Sequence, residues 1–147
     1  MDKRLYRDMF KTPQEVVRSL FAEYIYRYES NEEDPESFLS DVRKREDLSP
    51  EEVDRLRDLI EFYLRNEDAL YGHLSDTLTG WRPERLLALD RAAILAGMAE
   101  ILKGADDVNR TIYDYGTFAK RFSAEKSPSF VMGVLKSFKK RLESGKE

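Results

Sequence analysis

The sequence predicts an all-α domain, a bundle of about seven helices, and three observations carry that prediction. All five prolines stand just after or close to a residue able to cap a helix: Thr12-Pro13, Asp34-Pro35, Ser49-Pro50, Trp81-Arg82-Pro83 and Ser127-Pro128. Proline suits the first helical position because the N–H it lacks would be unpaired there anyway. Apolar residues recur at spacings of three and four, the repeat of a helix with one buried stripe. No stretch alternates apolar and polar residues as a half-buried strand would.

The first long helix runs from Pro13 to about Tyr28, with Val16, Val17, Leu20, Phe21, Tyr24, Ile25 and Tyr28 inward. A shorter one covers residues 35 to 45 with Phe38, Leu39 and Val42 inward, and a third covers Pro50 to about Arg65. Thr12 with Glu15 and Ser49 with Glu52 have the spacing of capping boxes. Leu70, Leu74 and Leu78 mark a fourth helix that ends at Gly80. The stretch from Pro83 to Leu102 is apolar on nearly every side, which predicts one central helix, closed by Gly104. Asn109 is expected to cap a helix carrying Ile112, Tyr115, Ala119 and Phe122. Ser127 is expected to cap the last helix, with Val131, Val134, Leu135, Phe138 and Leu142 inward and Gly145 beyond its end.

A chain of 147 residues is long enough to bury one core, so a single domain spanning 1–147 is expected. It contains no cysteine, which excludes thiol catalysis, disulfide scaffolding and zinc-cysteine sites. The charged opening "MDKRLYRDMFK" lacks the apolar run of a signal peptide, and no window approaches 18 consecutive apolar residues. A cytoplasmic protein is expected.

The net charge of −4 is unevenly spread. Residues 1–30 carry 6 basic and 5 acidic groups, residues 31–80 carry 6 and 15, and residues 81–147 carry 13 and 9. Within residues 117–141 seven basic groups stand against Glu125 alone. Such asymmetry steers an anionic partner to one face of a protein that is acidic as a whole.

Catalytic chemistry is poorly supplied. His73 is the only histidine, which rules out a two-histidine metal site, and it sits among ordinary helix residues. Neither a phosphate loop nor a dinucleotide-binding glycine motif occurs. Asp106-Asp107 and Glu32-Glu33-Asp34 precede or connect helices, where the helix dipole and solvent favour acids. No enzyme and no cofactor are expected. Binding is better supported: on a helix Arg4, Arg7 and Lys11 share a face, and with Lys3 they form a cluster able to meet phosphates.

Two stretches together resemble the NusB family of transcription antitermination factors. "GWRPERLLALDRAAILAGMAEIL" (Gly80 to Leu102) resembles that family's central helix, and "FAKRFSAEKSPSFVMGVL" (Phe118 to Leu135) its closing motif. The resemblance implies an all-helical fold of two packed subdomains. It implies binding of boxA-type leader RNA together with the ribosomal small-subunit protein NusE, so that RNA polymerase reads through terminators. By position, RNA is expected at Lys3, Arg4, Arg7, Lys11, Lys126, Ser129 and Phe130, and the protein partner at Leu78, Glu84 and Asp90.

Gly133 matches the family's glycine in the last helix, where its lack of a side chain is expected to admit a neighbouring helix backbone. That would offset the roughly 1 kcal/mol that glycine costs relative to alanine in a helix interior. Departures also stand out. Met132 replaces an asparagine, and Ile112-Tyr113-Asp114-Tyr115 replaces Ile-Asn-Glu-Ala. Lys126 stands where an acid is frequent, which adds an attractive charge for phosphate. The alternative is a diverged interaction module, self-associating and with little RNA activity, for which Met132, Tyr113, Tyr115 and the negative net charge speak.

Overall fold

A computed structural model describes residues 5–145, and among them every regular element is helical. The order is α1 (Tyr6–Met9), α2 (Pro13–Asn31), α3 (Pro35–Glu46), α4 (Pro50–Arg65), α5 (Glu67–Thr77), a 3-10 turn (Pro83–Arg85), α6 (Ala88–Lys103), α7 (Val108–Phe122) and α8 (Ser127–Ser144). Of these, α1 is the element that apolar spacing did not announce. It is a single turn, too short to show a period.

Several helix starts differ in detail from expectation. Ser49 and Glu52 close a full capping box, with bonds of 3.2 and 2.9 Å. At α2 the Thr12 hydroxyl accepts the Glu15 N–H at 3.1 Å, but the Glu15 carboxylate accepts from the Lys11 N–H and from Arg110. The expected box is therefore half made. Asp107, not Asn109, caps α7, accepting the Arg110 N–H at 3.0 Å. It stands at the capping distance, and its charge complements the helix dipole as an amide does not. Nor does Ser127 cap α8: it is the first helical residue, and its hydroxyl accepts the Ala124 N–H at 3.0 Å, which tightens the α7–α8 turn.

The helix expected from Pro83 to Leu102 is broken. Leu86 and Leu87 are extended, with ψ of 149° and 138°, and α6 begins at Ala88. The Arg91 guanidinium donates to the carbonyls of Pro83 and Leu86, each at 3.2 Å, and to Glu29 of α2. These bonds hold the carbonyls that a continuous helix would have used. Similarly α5 stops at Thr77 with Leu78 extended, short of Gly80, whose φ of +78° belongs to the following turn.

The central segment of α6 is buried on all sides, from Ala92 to Ala99, as its composition requires. Contacts sort into an N-terminal group, α2 with α4 and α3 with α4, and a C-terminal group of α6, α7 and α8, joined where α2 lies on α6. A partly buried ion network fixes that junction. Arg18 of α2 donates to Glu100 of α6 and to Asp114 of α7, both at 2.7 Å, and the Tyr115 hydroxyl donates to Glu100 at 2.9 Å. Burial raises the Asp114 carboxyl above its usual range, against the opposing pull of Arg18 and Arg110.

Close helix approach falls on glycines other than the expected one. A Cβ on Gly116 would lie 2.6 Å from Met132 Cγ, and one on Gly97 would lie 2.6 Å from a Leu135 methyl. A Cβ on Gly133 meets nothing within 4 Å, and the residue is exposed. The packing role expected for Gly133 is thus overturned. It lies two residues from both Val131 and Leu135, on the side of α8 turned away from the core.

Candidate nucleic-acid and partner interface

The α7–α8 turn is fastened to the start of α6. The Ser123 hydroxyl donates to Asp90 at 2.6 Å, and Ser127 donates to Ser123 at 3.1 Å. Asp90, in the first turn of α6, is 5% exposed. This clamp sets beside one another the extended Leu86-Leu87 segment and the first turn of α8. Between them lies a hollow of about 380 Å3, lined by Trp81, Arg85, Leu86, Leu87, Asp90, Ala124, Lys126, Ser127 and Phe130. Trp81 is 59% and Leu87 54% exposed, which leaves two large apolar side chains open at the hollow. The break ahead of α6, missed by periodicity, is what turns Leu87 outward.

A second depression, of about 580 Å3, lies between the α1–α2 connection and α7. Lys11, Arg110, Lys120 and Arg121 line it with Glu15, so its charge is strongly positive. Tyr113 opens into it. The two surfaces are joined in sequence by residues 121–126.

The sequence-derived residues divide between these surfaces and the interior. Lys126 stands just ahead of α8 and Ser129 and Phe130 in its first turn, with Lys126 and Ser129 exposed and Phe130 forming a wall of the hollow. Lys11 lines the second depression. Lys3 and Arg4 lie outside the described residues. Arg7 does not share a helical face with Lys11, because α1 ends at Met9 and Thr12 is extended ahead of Pro13. Its guanidinium is occupied by the Glu46 carbonyl at 2.6 Å, the Asp47 carbonyl at 3.3 Å and the Glu52 carboxylate at 2.5 Å. Those bonds lower the Glu52 carboxyl: burial raises it, but the Ser49 N–H and Arg7 outweigh burial. Of the expected partner residues, Glu84 is exposed, whereas Leu78 is buried at 8% and Asp90 is held by Ser123.

Sequence reasoning did not select Trp81, Leu87 or Tyr113 for a site, and it placed Lys120 and Arg121 only within the basic run 117–141 able to extend a phosphate-binding track. The signals were available in part, since Lys120 and Arg121 belong to the basic run and Tyr113 is one of the family departures. His73 stacks edge-on against Phe138, with centroids 5.2 Å apart, an ordinary packing role. Among the described residues no group of His, Asp or Glu is arranged to hold a metal ion, and no helix is long and apolar enough to cross a membrane.

The all-helical fold thus carries an apolar hollow and a basic, aromatic-bearing depression. Comparison with known proteins gives the family: the NusB family model matches residues 15–140. The transcription antitermination protein NusB of Clostridium botulinum (strain Loch Maree / Type A3) is 30% identical over 132 residues, covering 82% of this chain and 92% of its own. That of Sulfurovum sp. (strain NBC37-1) is 25% identical over 119 residues, covering 81% and 92%. Among solved structures, the antitermination factors NusB and NusE in complex with double-stranded RNA give a TM-score of 0.81 at 21% identity, over 90% of this chain and 99% of that one. The solution structure of Aquifex aeolicus NusB gives 0.78 at 21% identity, over 92% and 93%. The chain belongs to the NusB family.

Proposed function

We propose that this chain is a transcription antitermination factor, a single domain acting in the cytoplasm. It binds boxA-type leader RNA jointly with the ribosomal small-subunit protein NusE and promotes read-through by RNA polymerase in ribosomal RNA synthesis. The observation that carries the reading is the family match across residues 15–140, together with 30% identity to a transcription antitermination protein. The NusB fold has also been solved with NusE and double-stranded RNA.

The placement of residues supports a division of labour. Lys11, Lys126 and Ser129 are exposed and meet RNA, with Lys3 and Arg4 preceding them in sequence. Phe130 supports the RNA surface from the hollow. Arg7 acts as an anchor for the N-terminal turn, since three acceptors already hold it. The protein partner docks at the hollow through Trp81 and Leu87, with Glu84 exposed between them in sequence, while Asp90 lines the hollow from a buried position and Leu78 packs in the core.

The test is a titration of labelled boxA-type RNA with the full chain, with and without NusE, at two salt concentrations. Partner-enhanced, salt-sensitive binding is expected, because phosphate contacts release counterions. Partner binding without RNA binding would replace this reading by the diverged interaction module.

A further inference from the structure

We infer that the groove between the α1–α2 connection and α7 is a single-stranded RNA subsite. In it Tyr113 stacks on one unpaired base, and Lys11, Lys120 and Arg121 hold the adjoining phosphates. The inference rests on the RNA reading above and adds a path for the strand that the family match does not supply.

Tyr113, Lys120 and Arg121 follow Arg110 of α7 by 3, 10 and 11 residues, which brings the four to one side of a helical stretch about 16 Å long. Lys11 supplies the opposite wall. The groove contains one carboxylate, Glu15, and it is 5% exposed and already paired with Arg110. Arg110 therefore offsets its charge. Lys11 and Lys120 are exposed and have no carboxylate partner among the described residues, and Arg121 makes a long 3.4 Å bond to the Met9 carbonyl. Three cations are thus left for an anionic chain.

Tyr113 is the feature that selects the kind of chain. Its neighbour Tyr115 is fully buried, as an aromatic serving the core should be, yet Tyr113 is 55% exposed. It makes no core contribution that would justify a large ring at that position. The Arg110 guanidinium sits 5.3 Å from the ring centroid, and Arg110 is itself held by Glu15 and by Asp114 at 3.0 Å. The ring is consequently held in place before any ligand arrives, which lowers the entropy lost on binding. An exposed aromatic among cations is the arrangement that binds single strands, because every unpaired base offers a face for stacking. A duplex hides those faces in its own stack.

The experiment measures fluorescence anisotropy of a labelled uridine-rich 12-mer, single-stranded or annealed to its complement, with the full chain. Tyr113→Ala is expected to weaken single-strand binding by about 5- to 140-fold, the range for losing one stacked base. Tyr113→Phe keeps the affinity, and duplex binding is unchanged by either. Lys120→Ala with Arg121→Ala weakens both forms and flattens the salt dependence. If these variants bind like the unmodified chain while Lys126→Ala weakens binding, the groove is wrong and the RNA reading stands. Equal losses for duplex and single strand in Tyr113→Ala overturn the stacking role. Binding of a glutamate-rich peptide in place of RNA, abolished by the same variants, makes the groove a protein site. No RNA binding by the unmodified chain at low salt overturns both readings.

Discussion

Gly133 faces away from the core of α8, and open space surrounds the position a Cβ would take. Alanine there should stabilise the chain by about 1 kcal/mol, the intrinsic helix preference, with a thermal midpoint about 2–4 °C higher. A lower midpoint would mean that the glycine does structural work after all. Its outward placement follows from Val131 and Leu135 being inward, so helical periodicity alone puts it on the solvent side. Arg7 is the converse case. Its type suggests phosphate binding, but its bonds to Glu46, Asp47 and Glu52 tie α1 to the α3–α4 connection. Arg7→Ala should cost about 1 kcal/mol in urea unfolding, a charged hydrogen-bond value reduced for its partial exposure, while Lys11→Ala changes stability little. Equal stability of the two variants would remove the anchoring role. These partners lie about forty residues away in sequence, beyond the reach of local spacing.

At the scale of elements, helices were legible because proline, caps and apolar spacing are all local signals. What was not legible depends on distant contacts. The break at Leu86-Leu87 interrupts no apolar pattern, and it is held by Arg91 reaching back to two carbonyls and across to Glu29 of α2. The contact of α7 with α8 is similar. Met132, read from sequence as a family departure, fills the space left by Gly116, so the two residues form one packing unit. Gly116→Ala should cost about 1–3 kcal/mol as an overpacked contact, since Met132 Cγ would have to move. In a Met132→Ala background the same change should cost much less. Unfolding of the four proteins in the cycle measures the coupling, and strict additivity would show that the helices do not meet there.

At the scale of the molecule, charge and apolar surface are segregated, and this separates two kinds of binding. The acidic middle of the chain, with 15 acids against 6 bases in residues 31–80, leaves the cationic groups concentrated from α7 onward. The sequence made that division visible, but it gave no sign that Trp81 and Leu87 would share a hollow with Phe130, since that hollow exists through the α6 break and the Asp90–Ser123 clamp. RNA held by cations releases counterions, and each phosphate contact to a single strand contributes about 0.7 to the slope of log affinity against log salt. Removing Lys120 and Arg121 together should therefore reduce that slope by about 1.4. Docking at the apolar hollow releases water instead, so Trp81→Ala should weaken partner binding by a similar factor at low and high salt. Measured on one preparation, the two responses should separate cleanly: a salt-dependent loss on the α7 face and a salt-independent loss at the hollow. Parallel salt dependence would mean that RNA and partner compete for one surface, and the adjacency of residues 121–126 would then act as an overlap between ligands.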